Sequence, residues 1–481
     1  MPDIKSLSLF KPTSSSGGCM SSILVFCRDY LIKDFVSATK CLHHTYNVHY
    51  FTDGQFYGVR DTRRRFYQLV QGGGEVRAIL SAEEEDDIIM RCRLLRSIPA
   101  HRALRMLRAM LIVLEDELER VQPLVIIGQM IDEYVTHALS VLASRRHILY
   151  LGICASFFSG RMQVTKYAYG EPFVFRDVHQ REVLDTLSMV SNTKFSQNYS
   201  HKISFSKVHH VLMTTRYYVK RILFPPISFI KRDPLGLHYL CLPYIAERRS
   251  FLDFYRKDLF DADWESKIAN LRAGFARPVI FMPLSYSPES TNDYWIRNTR
   301  AIRYERMVLN ICAVLSRHYI IAVKEHSHMV GIRSRNFYHQ VNSISSVINV
   351  PPVVSSKSIF EIVDIALLGG GSIGVEAFLS DLPVATYCDT SYWHEVTSAS
   401  QLDLGDLPSW VTRIQEAIAT HQVATPAQHY KLIEYSLSST ARVAAKGKVW
   451  PIPNEDDMIK LVQTAILSPC GLGHESTNFK A

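Results

Sequence analysis

The sequence predicts an α/β chain folded as two doubly wound domains facing a central cleft. Three observations carry that expectation. Short continuous apolar runs, the mark of strands covered on both faces, alternate with stretches of helical period. The runs fall into two series, separated by a charged helical stretch from Phe254 to Ala276. In the second series a glycine turn, Gly369-Gly-Gly371, joins an apolar strand to a new helix.

In chain order, residues 1–20 are polar and rich in Ser and Gly and are expected to form a mobile leader. The N-terminal domain is placed at 21–255. Its strands are read at Ile23–Cys27, Val48–Phe51, Leu124–Gly128 and Ile148–Gly152, with helices between them. Gly72-Gly-Gly74 lacks the spacing of a dinucleotide fingerprint and reads as a loop. The acidic run Glu83–Asp87 opens a helix, because acids favour the first turn. The second domain is placed at 256–440. Its strands are Pro278–Leu284, Tyr319–Val323, Val347–Val350, Ile365–Leu368 and Val384–Tyr387. Ser409 to Leu467 reads as helical, and 441–481 as a C-terminal helix and tail.

A chain of 481 residues holds two or three cores. Its 47% apolar and 21% charged shares are those of a globular protein. A net charge of +8 allows attraction to phosphate or anionic lipid, and nothing in the pattern points to nucleic acid. Nine scattered cysteines without a C-x-x-C pair fit reduced thiols in a cytoplasm. The N-terminus lacks the apolar centre of a secretory signal, and no run reaches the roughly 18 apolar residues of a membrane span. The protein is therefore expected to be cytoplasmic. One stretch qualifies that: from His201 to Leu240, seven Lys and Arg stand against Asp233 alone, interleaved with Tyr217, Val219, Ile222 and Leu223. Such a segment suits the inner, anionic face of the cell membrane, or packs its apolar side on its own domain.

Ligands of doubly wound sheets bind beyond the carboxyl ends of the strands. Three segments of the second domain follow strand ends and are expected to meet there. They are Pro283–Thr291, then Lys324-Glu-His-Ser-His328 with Gly331, Arg333 and Phe337-Tyr338, then Gly369–Glu376. Lys324 and His326 can donate to phosphate oxygens as charge builds on a leaving nucleotide. The helix start at Gly371/Ser372 offers backbone donors and a hydroxyl to the same charge. Gly369, Gly370 and Gly371 remove Cβ atoms where a ligand would lie. Arg333 is a further anion clamp. In the first domain, Asp132 and Glu133 follow a strand and are the acids best placed for a base, with Asp53 behind them.

The motifs P-L-x-Y-x-P-E-S, K-E-H with G-x-R-x-x-x-F-Y, and G-G-x-x-G-x-E-A-F with a following P-V resemble, in that order, the capsule polysaccharide biosynthesis family. That family comprises GT-B glycosyltransferases and includes the bacterial Kdo transferases. The likeness covers about 275–395 and, more loosely, 120–165. It implies a GT-B fold of two Rossmann-like domains, the first holding the acceptor and the second a nucleotide sugar, with CMP-Kdo favoured as donor. The acceptor would be a capsular, lipopolysaccharide or other lipid-linked surface glycan. The resemblance draws attention to Glu289 and gives Glu376 the ribose diol. Ser327 stands where the family has proline, which leaves the local backbone path open. Together these readings assign Glu289, His326 and Glu133 to catalysis, and Lys324, Arg333, Gly370, Gly371, Ser372, Glu376 and Ser285 to substrate binding. No metal and no cofactor are implied, the nucleotide sugar being a substrate. Asp261-Ala-Asp263 has the form of a metal-binding D-x-D but lies in a charged helical stretch. Two other functions fit the same pattern: a sugar-nucleotide 2-epimerase, and a non-catalytic, membrane-associated assembly protein.

Overall fold

The computed structural model of the chain describes residues 20–468 except 55, 73, 168, 192–206, 232–249, 288–289, 391–392 and 394–395. Strands β1 (Ser22–Cys27), β2 (Asn47–Thr52), β3 (Arg60–Asp61), β4 (Val125–Gln129), β5 (Leu149–Ala155) and β6 (Arg161–Lys166) belong to the first sheet. The second holds β7 (Val279–Pro283), β8 (Ile320–Lys324), β9 (Val347–Val350), β10 (Ile365–Leu368), β11 (Val384–Thr386) and β12 (Ser400–Gln401). The parallel part of the first sheet runs β5-β4-β1-β2-β3, and the second runs β12-β11-β10-β7-β8-β9, parallel throughout. Both orders reverse beside their first strand, at β1/β4 and at β7/β10, which is the doubly wound Rossmann pattern. The two-domain α/β, GT-B-type fold expected from the sequence is present.

The central strands form because their residues are apolar on both faces. Ile23 to Cys27, Val125 to Ile127, and Ile365 to Leu368 are all fully buried. Some helices start at side-chain caps. Ser81 and Glu84 close a capping box on helix Ala82–Arg91, and Asn454 caps helix Glu455–Leu467.

The helical reading of 409–467 needs correction. Two helices, Trp410–Ala419 and Pro426–Ser438, are followed by a hairpin of β13 (Thr440–Lys446) and β14 (Pro451–Pro453) before the last helix. β13 pairs antiparallel with β6, so the chain ends on the first sheet. Met458, Leu461 and Val462 of the last helix pack in one cluster with Val25, Val125 and Leu151. The hairpin was hidden because Thr-Ala-Arg-Val-Ala-Ala-Lys carries no strand alternation strong enough to stand out beside helical neighbours. Helix Gln180–Ser191 in turn contacts Pro426–Ser438, and Val183 joins the cluster of the second sheet.

The two sheets share their largest core. One cluster runs from Leu24, Phe51 and Ile126 through Tyr134 to Tyr294, Trp295, Ile311 and Leu367. Among the described residues, no helix is long and apolar enough to cross a membrane.

Candidate functional site

The carboxyl ends of β7, β8 and β10 bring the three expected segments together at the β7/β10 reversal. The Arg333 guanidinium donates to the Ser285 carbonyl at 2.9 Å, tying the loop after β8 to the loop after β7. A Cβ on Gly369 would lie 3.3 Å from Ser285 Oγ, so the turn after β10 abuts the same loop. Lys324, at the end of β8, interacts electrostatically with Glu376 on helix Ile373–Leu379 after β10.

Glu325 organises this corner, a role the sequence reading did not assign. It is fully buried and accepts from the His326 backbone N–H at 2.7 Å, from Arg333 Nε at 2.6 Å and from Tyr338 Oη at 2.8 Å. The Arg333 guanidinium also lies over the rings of Tyr304 and Phe337. Tyr304 Oη accepts from Ser285 N–H at 2.7 Å. Residues of the K-E-H run therefore diverge. Glu325 turns inward, while His326 is exposed, with its ring edge-on to Tyr286 at 5.7 Å. The signal was available in the sequence, since a strand end alternates faces.

Lys324 and Glu376 are both half-buried and within electrostatic range of each other, with no ion pair within 4 Å for either among the described residues. Burial lowers the Lys324 pKa, partly offset by Glu376 and Glu325. Burial also raises that of Glu376 to about 6, against the pull of Lys324. Beside them Gly371 has φ +111°, and among the described residues no atom beyond its chain neighbours comes within 4 Å of where a Cβ would stand, which leaves room for close approach. Trp393 fixes this turn. It is fully buried, its Nε1 donates to the Gly371 carbonyl at 3.0 Å, and its ring fills the space that Gly374 leaves without a Cβ.

Several expected residues take other positions. Arg333 is not an open anion clamp. It is buried and bound to Glu325, because a lone guanidinium there would lose its hydration without compensation. Gly369 and Gly370 give room to the protein's own side chains. Tyr387 Oη would be 3.1 Å from a Gly369 Cβ, and Trp295 Cε3 3.3 Å from a Gly370 Cβ. Glu133 does not face an open cleft. It is buried, caps helix Tyr134–Arg145 through Val135 N–H at 3.0 Å, and pairs with Arg28. Burial, opposed by Arg28, raises its pKa well above the ordinary carboxylate range. Asp53 pairs with the same arginine at 3.3 Å, and Asp132 is buried beside them. Glu289 lies outside the described residues. Ser372 is half-buried at the helix start, and its side chain makes no cap there. Asp261 accepts from the Asn349 backbone N–H at 2.8 Å and pairs with Lys267, a structural use of the D-x-D run.

No family model matches the chain, and no curated protein matches it in sequence. Among solved structures it is similar to the UDP-GlcNAc 2-epimerase of Methanocaldococcus jannaschii in complex with UDP-GlcNAc and UDP. That match has 11% identity and a TM-score of 0.25, covering 86% of this chain and 98% of that one. It is also similar to the epimerase of Neisseria meningitidis bound to UDP-GlcNAc, at 11% identity and TM-score 0.25, over 87% and 97%. A third is KpsC of Thermosulfurimonas dismutans, a beta Kdo 2,7 transferase, at 12% identity and TM-score 0.30, over 73% and 88%. Likenesses this distant carry no weight for chemistry, and the fold assignment rests on the strand orders themselves.

Proposed function

We propose that this chain is a GT-B glycosyltransferase that takes its sugar from a nucleotide donor. The observation that supports it best is the Lys324–Glu376 pair, set at a strand-order reversal beside the open backbone of Gly371. Both charged forms are disfavoured by burial, and a sugar nucleotide would offer each a partner: phosphate oxygens for Lys324, ribose hydroxyls for Glu376. His326, exposed at the same rim, is the second donor to the leaving phosphate, and Ser372 adds a hydroxyl. As the glycosyl bond breaks, charge develops on the nucleotide, where these donors act most strongly. The motif resemblance supports CMP-Kdo as donor and a surface glycan as acceptor, without a metal.

A thermal-shift panel of CMP, UDP, GDP and CDP on the intact protein tests the reading. One nucleotide should raise the midpoint, by about 2.7 kcal/mol of stabilisation at a hundredfold excess over its Kd. Glu376→Ala should weaken that shift. No shift with any of the four overturns the proposal. A specific feature favours a second reading, a non-catalytic assembly protein: Trp295 and Tyr387 occupy space over Gly370 and Gly369 that an enzyme would leave to its donor. On that reading, His326→Ala and Glu376→Ala would leave the cellular role intact.

A further inference from the structure

Helix Lys207–Lys231 is 25 residues long and carries no acidic residue. One narrow side holds it to the molecule. Tyr217 and His210 are 5% exposed, His210 packs at a tilt against Tyr255 with centroids 5.5 Å apart, and Lys207 lies over the same ring at 5.4 Å. The helix contacts the short turn Phe251–Tyr255. The opposite side is apolar and exposed: Val208 at 69%, Leu212 at 63%, Ile222 at 73%, with Val211, Val219 and Leu223 about half exposed. At 3.6 residues per turn these six fall within an arc of about 120°, roughly opposite Tyr217 and His210. None of them belongs to any of the three hydrophobic clusters. Arg216 and Lys220 are exposed along one edge of the arc, with His209 between them on the helical wheel.

We infer that this face lies on an anionic lipid surface. An apolar arc edged by cations, on a helix without a single acid, matches the interfacial geometry in which apolar side chains enter the acyl boundary and Lys and Arg meet lipid phosphates. Charge complementarity selects the occupant: a neutral apolar partner would gain nothing from the basic edge. The attachment also has a direction. In the turn that holds the helix, Ser250 N–H donates to the Gly331 carbonyl at 2.6 Å, and Asp253 pairs with Arg335. Gly331 belongs to the loop after β8 that carries His326. The lipid surface would thus lie beside the candidate site, where a lipid-linked acceptor would arrive.

The test is sedimentation of the intact protein with vesicles, independent of any nucleotide. It should bind equimolar phosphatidylcholine and phosphatidylglycerol at low salt, and not phosphatidylcholine alone. Partition should fall about tenfold or more in Arg216→Glu/Lys220→Glu and in Leu212→Glu/Ile222→Glu, with unchanged circular dichroism and melting. Absence of wild-type binding overturns the inference, as does binding that both double variants retain. A wild-type dimer that Leu212→Glu/Ile222→Glu makes monomeric, without vesicle binding, would assign the face to a second copy instead.

Discussion

Glu325 and Arg333 make a fully buried ion pair closed by Tyr338, and the cost of breaking it differs from the value of having it. Removing one partner leaves the other charge without water, so Glu325→Ala should cost about 3–5 kcal/mol in chemical denaturation. Arg333→Met, which keeps volume but strands Glu325, should cost a similar amount. A loss below about 1 kcal/mol in both would mean the pair does not organise this corner. Glu376 makes a different prediction, because its folded pKa of about 6 lies above the ordinary 4.5. A raised carboxyl favours the folded state while protonated. Its contribution is full below pH 4.5 and is lost as pH rises through about 6. Glu376→Gln should therefore flatten the fall in melting temperature over that window, and a variant that tracks wild type throughout would refute the assignment.

The β13–β14 hairpin is anchored by one side chain from the far end of the chain, and it divides what the sequence revealed from what it hid. Asp34 accepts from the backbone N–H groups of Lys448, Val449 and Trp450 at 2.6, 2.8 and 2.9 Å, pinning the hairpin of β13 and β14 to helix Ile32–Thr39. Asp34→Ala strands three donors, so amide exchange across 440–453 should accelerate sharply while β7 to β11 stay protected. Equal protection in both regions would contradict this. No periodicity announces such a contact, since Asp34 and its partners are more than 400 residues apart. The buried parallel strands were legible for the opposite reason: a strand covered on both faces is a local composition of Val, Ile and Leu, as in Ile365–Leu368. The site followed the same division. Strand ends place Lys324, His326 and Gly371, and the sequence marks them. That Glu133 is enclosed and that Trp295 covers Gly370 depend on residues far away in the chain, whereas Arg333 turns inward onto Glu325, only eight residues before it.

Whether the molecule opens between its sheets depends on an interface centred on Asp293 and Trp295. Arg91 donates to the carbonyls of Asp293, Ile296 and Arg297, at 2.8, 2.9 and 2.6 Å. Arg93 and Arg96 pair with the Asp293 carboxylate at 2.8 and 3.2 Å, and that carboxylate is 2% exposed. The Trp295 ring lies where Gly170 has no Cβ, and His137 meets Tyr294 edge-on at 5.4 Å. Burial, with Arg91 nearby, lowers the His137 pKa to about 3, so the ring is neutral at physiological pH and adds no further charge to this seam. Domains joined only through polar contacts are expected to move against each other, but here the polar contacts are buried and the two sheets also share one apolar cluster, which resists it. Calorimetry should therefore show one cooperative transition for both domains. Asp293→Ala leaves Arg93 and Arg96 without their carboxylate and should cost about 3–5 kcal/mol. If the seam is what couples the sheets, that variant should also split the transition in two and enlarge the radius of gyration in solution scattering. A wild type that already melts in two steps would show that the seam opens readily, and Trp295 would then be a gate over Gly370 and not a permanent filling.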